Sequence, residues 1–203
     1  MIRKGHSLRP GAILLGADLN NEDLSGVDLS GANLSDAELS GVDFTGANLS
    51  GAYFSGAEMS GAELADANLM NACFDWANLI VANLQNANLK NANLSNGYLN
   101  GADFAGADLS GADLSRAVAR GADFSGADLS GAKLDGANLQ NANLTDSNLS
   151  GIDLTTTWLD KANLTRANLT KSFIRFADLS TAIMTGTDLS TTDSRSPFSP
   201  RKK

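Results

Sequence analysis

The feature that most constrains the fold is an apolar residue that recurs every fifth position. Leu, Phe, Met or Ile holds this register from Leu19 to Leu189 with one exception, Ala119. A step of five residues rotates an α-helix by about 140° net, so the apolar residues would spiral around it without forming a stripe. In an unbroken strand the same step alternates between faces. A chain that turns a corner once per five residues satisfies the pattern.

The remaining positions of the unit describe this corner. The unit reads Ala-(Asp/Asn)-Leu-Ser-Gly, and we name its positions inward, outward, central, first corner and second corner. The inward and central residues are two apart, so their side chains point to the same side of a short extended segment, and the outward residue points away. Every glycine except Gly5 and Gly97 lies at the second corner, where its conformational freedom suits a repeated bend. Ala119 is expected to pack loosely or to bulge.

The phenylalanines indicate how many corners close one coil. Those at central positions are separated by multiples of ten and are Phe44, Phe54, Phe74, Phe104 and Phe124. In a four-sided coil of twenty residues, 54 and 74 stack on one side and the other three lie on the opposite side. A three-sided coil would scatter them. The spacing therefore predicts a four-sided coil.

The tandem units identify a family. The segments 106–110 and 126–130 read Gly-Ala-Asp-Leu-Ser, and 86–89, 91–94 and 141–144 read Asn-Ala-Asn-Leu. They resemble the pentapeptide-repeat family over nearly the whole chain. The resemblance implies an all-β fold, a right-handed quadrilateral β-helix of about nine coils, whose neighbours stabilise one another. We expect residues 1–11 to form an N-terminal extension or cap, 12–190 the β-helix, and 191–203 a flexible basic tail.

Charge and composition limit the possible partners. The formal net charge is −8, and residues 10–159 hold four basic residues against nineteen acids, a net of −15. Direct nucleic-acid binding would need the opposite sign along the body of the protein. No apolar run approaches the roughly 18 residues of a membrane helix, and no apolar segment of a signal peptide follows the N-terminus. We therefore expect a cytoplasmic protein that binds neither nucleic acid nor membrane.

Catalysis is not predicted. The chain has one histidine, His6, in the N-terminal extension, and one cysteine, Cys73, at an outward position with no histidine near it in sequence. No Cys/His spacing of a metal site and no phosphate-binding glycine loop occurs. We expect a protein without catalytic residues, metal or cofactor, since catalysis requires unlike groups that converge.

Bulky apolar residues at outward and corner positions predict a protein interface. The candidate partner-binding residues are Tyr53, Trp76, Ile80, Val81 and Tyr98. An exposed apolar cluster with a polar rim is typical of an interaction site. A second group, Trp158, Phe173 and Phe176, is expected to form either a C-terminal cap or a contact between copies.

Two functions remain open. The first is a non-catalytic protein-interaction scaffold or structural component, including self-association or membership of a large assembly. The second comes from the resemblance, because some pentapeptide-repeat proteins resemble DNA in shape and charge and bind DNA gyrase. An acidic face of Asp23, Asp43, Glu63, Asp103 and Asp123, with Asn83 inside the run, suits that alternative. Two differences count against it: gyrase-acting members dimerise through an apolar C-terminal segment, whereas this tail is basic, and the register here has no inserted loop.

Overall fold

The chain coils once every twenty residues. The computed structural model describes residues 2–3 and 5–192. Parallel bridges pair outward residues with those twenty positions later, from Ile13 with Asn33 to Asn168 with Asp188, except between Lys133 and Asp153 and between Trp158 and Asp178. Four units therefore make one coil, as the phenylalanine spacing predicts. The predicted tail lies outside the described residues from 193 onward.

Regular elements are short because each side of the coil contributes one bridged residue. The strands are β1 (Ile2–Arg3) and β2 (His6–Ser7), which pair antiparallel before the first coil. No helix that could span a membrane occurs in the part of the chain that the structure describes.

The four sides define four faces, which we number in chain order by their outward residues. These recur in steps of twenty. Face 1 begins at Ile13, face 2 at Asp18, face 3 at Asp23 and face 4 at Asp28.

Main-chain hydrogen bonds hold the coils together. The N–H of Leu14 donates to the carbonyl of Asn33 at 2.7 Å, and the N–H of Asn33 donates to the carbonyl of Ala12 at 2.8 Å. Within the coil, the N–H of Ala17 donates to the carbonyl of Leu14 at 3.0 Å and closes a turn around the corner. The same bonds recur along most of the chain. The backbone therefore satisfies its own polar groups without a long strand.

The corner explains the glycine at the second corner position. The residue there has a positive φ, for example +62° at Gly16, as the third residue of a type II turn requires. Nine of the sixteen non-glycine residues with positive φ are Asn or Asp, the types that tolerate this region. The repeat thus selects Gly, Asn or Asp at this position for a backbone reason.

The interior is a column of alanine, leucine and phenylalanine side chains. The rings of Phe54 and Phe74 stack on face 1 with centroids 4.8 Å apart, and those of Phe104 and Phe124 stack on face 3 at the same distance. Phe44 meets Phe54 edge to face at 6.3 Å across the core. The predicted division of the phenylalanines between two opposite sides is confirmed.

The predicted bulge at Ala119 is wrong. Ala119 is fully buried, and its N–H donates to the carbonyl of Asn138 at 2.8 Å. Val118 on the same side keeps its bridges to Tyr98 and Asn138. The backbone ladder sets the register here, so a smaller central side chain does not disturb it.

Candidate functional site

Four of the five predicted partner-binding residues lie around face 2. Trp76 is at the corner between faces 1 and 2, Ile80 and Val81 are at the corner between faces 2 and 3, and Tyr98 is on face 2. We call these four residues the face-2 patch. Tyr53 is exposed on face 1 and stands apart from them, next to Cys73 on the following coil.

The patch spans the width of the face. Asn78 lies between the two corners of one coil, and Tyr98 is bridged to it on the next coil. Trp76 and Val81 are 56% and 62% exposed, Tyr98 is 43% exposed, and Ile80 is half-buried. Asn78 donates through Nδ2 to both carboxylate oxygens of Glu58 at 2.8 Å. An apolar surface with an acidic rim results.

Two residues of the patch hold an unfavourable backbone conformation. Trp76 and Val81 are at second corner positions with φ of +61° and +52°. For bulky and β-branched residues this region is a genuine outlier, and such strain is found at functional sites. Both still make the ladder bond, from Trp76 N–H to the Ser95 carbonyl and from Val81 N–H to the Asn100 carbonyl. Sequence reasoning placed these side chains outside but missed the strain, although their departure from Gly, Asn or Asp at that position is a readable signal.

The predicted acidic face is divided into two parts. Asp23, Asp43 and Glu63 lie on successive coils of face 3, with Asp23 and Glu63 exposed and Asp43 half-buried, whereas Asp103 and Asp123 lie further along and are half-buried. The neutral Asn83 separates the two parts. A second acidic row runs beside the first part on face 2, and the twenty-residue register could have revealed it from the sequence. Its members are Asp18, Glu38 and Glu58.

The outward Asp and Asn side chains stabilise the corner that follows them. Asp43 Oδ1 accepts the N–H of Thr45 at 2.8 Å, and Asn33 Oδ1 accepts the N–H of Ser35 at 3.0 Å in the same way. The amide therefore replaces the carboxylate in this bond. An acceptor oxygen at the outward position therefore suffices for this bond, and no negative charge is needed.

Asp123 shows the electrostatic effect of this arrangement. Partial burial raises the pKa of its carboxyl, but hydrogen bonds from the side chain and backbone of Ser125 and from Asn143 outweigh it, so the pKa is lowered. The carboxylate is therefore ionised at neutral pH.

No metal or nucleophilic centre emerges from the described residues. Within 2–3 and 5–192, no group of three or more His, Cys, Asp or Glu side chains could hold a metal ion. Cys73 is half-buried, and its sulfur lies 3.4 Å from Ser55 Oγ and 3.7 Å from Asn93 Nδ2. The thiol is thus part of the hydrogen-bonded surface of face 1.

The C-terminal aromatic residues do not form a cap. Trp158 lies on face 2, and Phe176 lies on the following coil at the corner between faces 1 and 2; they are 58% and 62% exposed, so both side chains project from the sides of the coil. Phe173 is half-buried on face 1 and bridged to Asp153. The cap interpretation is wrong because these residues occupy outward and corner positions, which the register turns away from the axis.

Solved structures share this fold. HetL, a pentapeptide repeat protein involved in heterocyst differentiation regulation from the cyanobacterium Nostoc, is 32% identical over 93% of this chain and 89% of its own, with a TM-score of 0.43. A trypsin-treated form of QnrB1, a plasmid-mediated fluoroquinolone resistance protein, superimposes with a TM-score of 0.65 at 21% identity, over 89% of this chain and 90% of its own. The second likeness concerns the fold alone. No curated protein sequence matches the chain significantly.

The family assignment covers the coiled region. The profile described as pentapeptide repeats, with 8 copies, matches residues 11–46, 47–80, 82–121, 122–157 and 147–186. The five-residue unit, the twenty-residue register and this match agree. The chain belongs to the pentapeptide-repeat family.

Proposed function

We propose that the protein is a non-catalytic interaction scaffold, a right-handed rod of about nine coils that presents the face-2 patch to a protein partner. The observation that carries this proposal is the pair of exposed, strained residues Trp76 and Val81 on either side of one face. Corner positions elsewhere are mostly occupied by residues that suit the backbone. Bulky apolar side chains here cost folding stability and expose apolar surface, which a bound partner would compensate.

The patch indicates the chemistry of the partner surface. An exposed indole and phenol are the side chains most often found as interface anchors, and they fit an apolar cleft. Glu58 at the rim favours a basic residue at the edge of that cleft. The expected partner is therefore a folded protein with an apolar groove bordered by positive charge, and a second copy of this chain is a less suitable one because its body is acidic.

The test compares associations formed by matched variants. Wild type, the double variant Trp76→Ser/Tyr98→Ser and the control Tyr53→Ser are each expressed in the native host and cross-linked, and the complexes are quantified. Tyr53 is a good control because it is an aromatic residue about as exposed as Trp76, at 53% against 56%, and it lies on face 1 outside the patch. We expect the double variant to lose complexes that wild type and the control retain. Complexes that persist unchanged in the double variant would refute the role of the patch.

The acidic rows support a second candidate, inhibition or protection of a type II topoisomerase such as DNA gyrase by DNA mimicry. Six carboxylates on adjacent faces of the first coils form a continuous negative surface, and a DNA-binding groove attracts such a surface. They are Asp18, Asp23, Glu38, Asp43, Glu58 and Glu63. The fold shared with QnrB1 is compatible with this function.

A supercoiling assay separates the two candidates. The purified protein is titrated into gyrase at two salt concentrations, together with Asp23→Asn/Asp43→Asn/Glu63→Gln and a control that removes three charges from face 4, Asp28→Asn/Asp108→Asn/Asp128→Asn. Asn preserves the corner hydrogen bond, so these variants should fold. DNA mimicry predicts salt-sensitive inhibition that the face-3 variant loses and the face-4 variant keeps. No effect at large excess would exclude this candidate for the gyrase tested.

A further inference from the structure

Three corners near the C-terminal end depart from the regular geometry. Thr156, Phe176 and Thr181 lie at second corner positions but do not have a positive φ. All the remaining residues at this position, from Gly11 to Thr191, do. Of the three exceptions, two are β-branched and the third is aromatic, types that avoid this region. These three corners change conformation, whereas Trp76 and Val81, residues of the same types, keep the left-handed backbone.

The altered corners also change the bonds between coils. At a regular corner the second corner N–H donates to a carbonyl of the next coil, but Gly136 N–H donates to Thr156 Oγ1 and Lys161 N–H donates to Thr181 Oγ1, each at 2.9 Å. Among the described residues, Trp158 has no bridge to residue 178, so the face-2 ladder ends there. The last coil is consequently not hydrogen-bonded to its neighbour along this face.

A cavity of about 260 Å³ lies at this break. It is lined by Thr155, Thr156, Thr157, Trp158, Leu159, Asp160, Phe176 and Asp178. The volume is slightly below the range of about 300–1,000 Å³ that holds drug-sized ligands, so it suits a small group. Both aromatic residues are more than half exposed, so a ligand can reach the Trp158 ring and the face of the Phe176 ring that Arg175 does not cover.

One residue that lines the cavity has an unpaired polar atom. Thr155 Oγ1 is buried and makes no hydrogen bond with any described residue, whereas Thr157 Oγ1 donates to the Leu134 carbonyl at 3.0 Å. Buried polar groups are nearly always paired, so an unpaired buried hydroxyl on a residue of the lining is unusual.

The charge of the lining selects the sign of a ligand. Two carboxylates and no basic side chain line the cavity, and neither Asp160 nor Asp178 forms an ion pair with a described residue. Hydrogen bonds from the side chain and backbone of Ser180 outweigh the opposing effect of burial and lower the pKa of Asp178, so this carboxylate is charged at neutral pH. An anion would be repelled.

The aromatic rings select the kind of cation. A ring face attracts organic cations, and the guanidinium of Arg175 already lies over the ring of Phe176 at 5.1 Å from its centroid. Trp158 lines the same cavity, and tryptophan is the strongest aromatic partner for a cation. Among the described residues, no cation and no other aromatic ring contacts its ring. We propose that this cavity between Trp158 and Phe176 binds an organic cation, a quaternary ammonium or guanidinium group, which the rings contact and Asp160 and Asp178 neutralise.

The test follows the indole N–H signal of Trp158 by NMR. A Trp76→Phe background leaves one tryptophan, since the chain has two. Tetramethylammonium and methylguanidinium are titrated, and tert-butanol serves as a neutral probe of similar shape. Asp160→Asn/Asp178→Asn removes the charge of the cavity, and Asp135→Asn is the control because Asp135 is nearby but does not line the cavity. Thermal melts establish that each variant folds.

We expect saturable shifts with both cations, at least about tenfold weaker binding in the double variant, and no change in the control. Equal affinity for tert-butanol, no saturable shift with either cation, or unchanged affinity in the double variant would overturn the proposal. A Gly-Arg-Gly peptide then separates two sources of the same group. Binding as tight as methylguanidinium indicates a side chain of a protein partner, and weaker binding indicates a free small molecule.

Discussion

Replacement of Val81 by Asn should stabilise the protein. Val81 holds a φ of +52°, which costs an L-residue about 1–3 kcal/mol. Its side chain is 62% exposed, so the change gives up only about a third of the roughly 1.5–3 kcal/mol that full burial of a valine would contribute. The net gain is about 1 kcal/mol. Asn21 occupies the same corner with a φ of +56°, and its amide lies against Gly41. Residue 101 is also glycine, so the new amide has the same room.

The assay is thermal unfolding with a matched valine control. For a chain of this length, 1 kcal/mol corresponds to a rise in Tm of about 2–4 °C. Val118→Asn changes the same residue type on face 2, but residue 118 has no positive φ, so no strain is relieved. The N–H of Arg120, the corner donor that an amide at this position would address, already donates to Asn100 Oδ1 at 3.0 Å, so no bond is gained and Tm should stay level or fall. A Tm for Val81→Asn that equals or falls below that of the control would refute the strain argument. Under the proposed function, Val81→Asn should also weaken partner binding while it raises stability.

Three further predictions concern the core, the cavity wall and the acid dependence. Phe74→Ala should lower the free energy of unfolding by about 3–5 kcal/mol, and Phe74→Leu by less than about 1.5 kcal/mol, in denaturant titrations, because only the first leaves a large void beside the stacked ring. Thr155→Val should raise Tm by removing an unpaired buried hydroxyl, whereas Thr157→Val should lower it by removing the bond to the Leu134 carbonyl. The free energies of unfolding of the two variants should differ by about 1–3 kcal/mol, and no difference is expected if the Thr155 hydroxyl has a partner. The lowered pKa of Asp123 stabilises the folded state above the ordinary aspartate pKa of about 3.9, and this contribution is lost as pH falls through the folded value. Asp123→Asn should therefore show a smaller fall in Tm between about pH 5 and 2 than wild type, and identical slopes would contradict this.

Most of the fold could be predicted because one short unit repeats its constraints. The spacing of the central residues excludes helix and strand, and the spacing of the phenylalanines favours a twenty-residue coil because a three-sided coil would scatter them. The bulge expected at Ala119 does not form. In the structure the main-chain bonds between coils hold the register, and they are insensitive to the size of one central residue.

The candidate sites were predicted less completely, since they depend on the backbone conformation as well as on the direction in which the side chains point. The register shows that Trp76 and Val81 point outward, but not that their φ is positive. The cavity beside Trp158 was not predicted, because it arises where Thr156 and Phe176 change the corner and the coils lose their hydrogen bonds. Such a local failure of the repeat leaves only a weak signal in the sequence, a residue other than Gly, Asn or Asp at the second corner.

The twenty-residue coil also fixes the distances between sites along the axis to whole numbers of coils. Residues 76 and 156 occupy the same corner four coils apart, so the face-2 patch and the cavity are separated by about 19 Å at a spacing of about 4.8 Å per coil. Loss or gain of twenty residues between them would change that distance by one coil and keep both on one face. Loss of a single five-residue unit would instead turn everything beyond it by a quarter of a revolution. Insertions and deletions in such a chain therefore change its length and the orientation of its faces in discrete steps. A partner that binds both sites would tolerate a change of twenty residues better than a change of five, because only the former keeps both sites on one face.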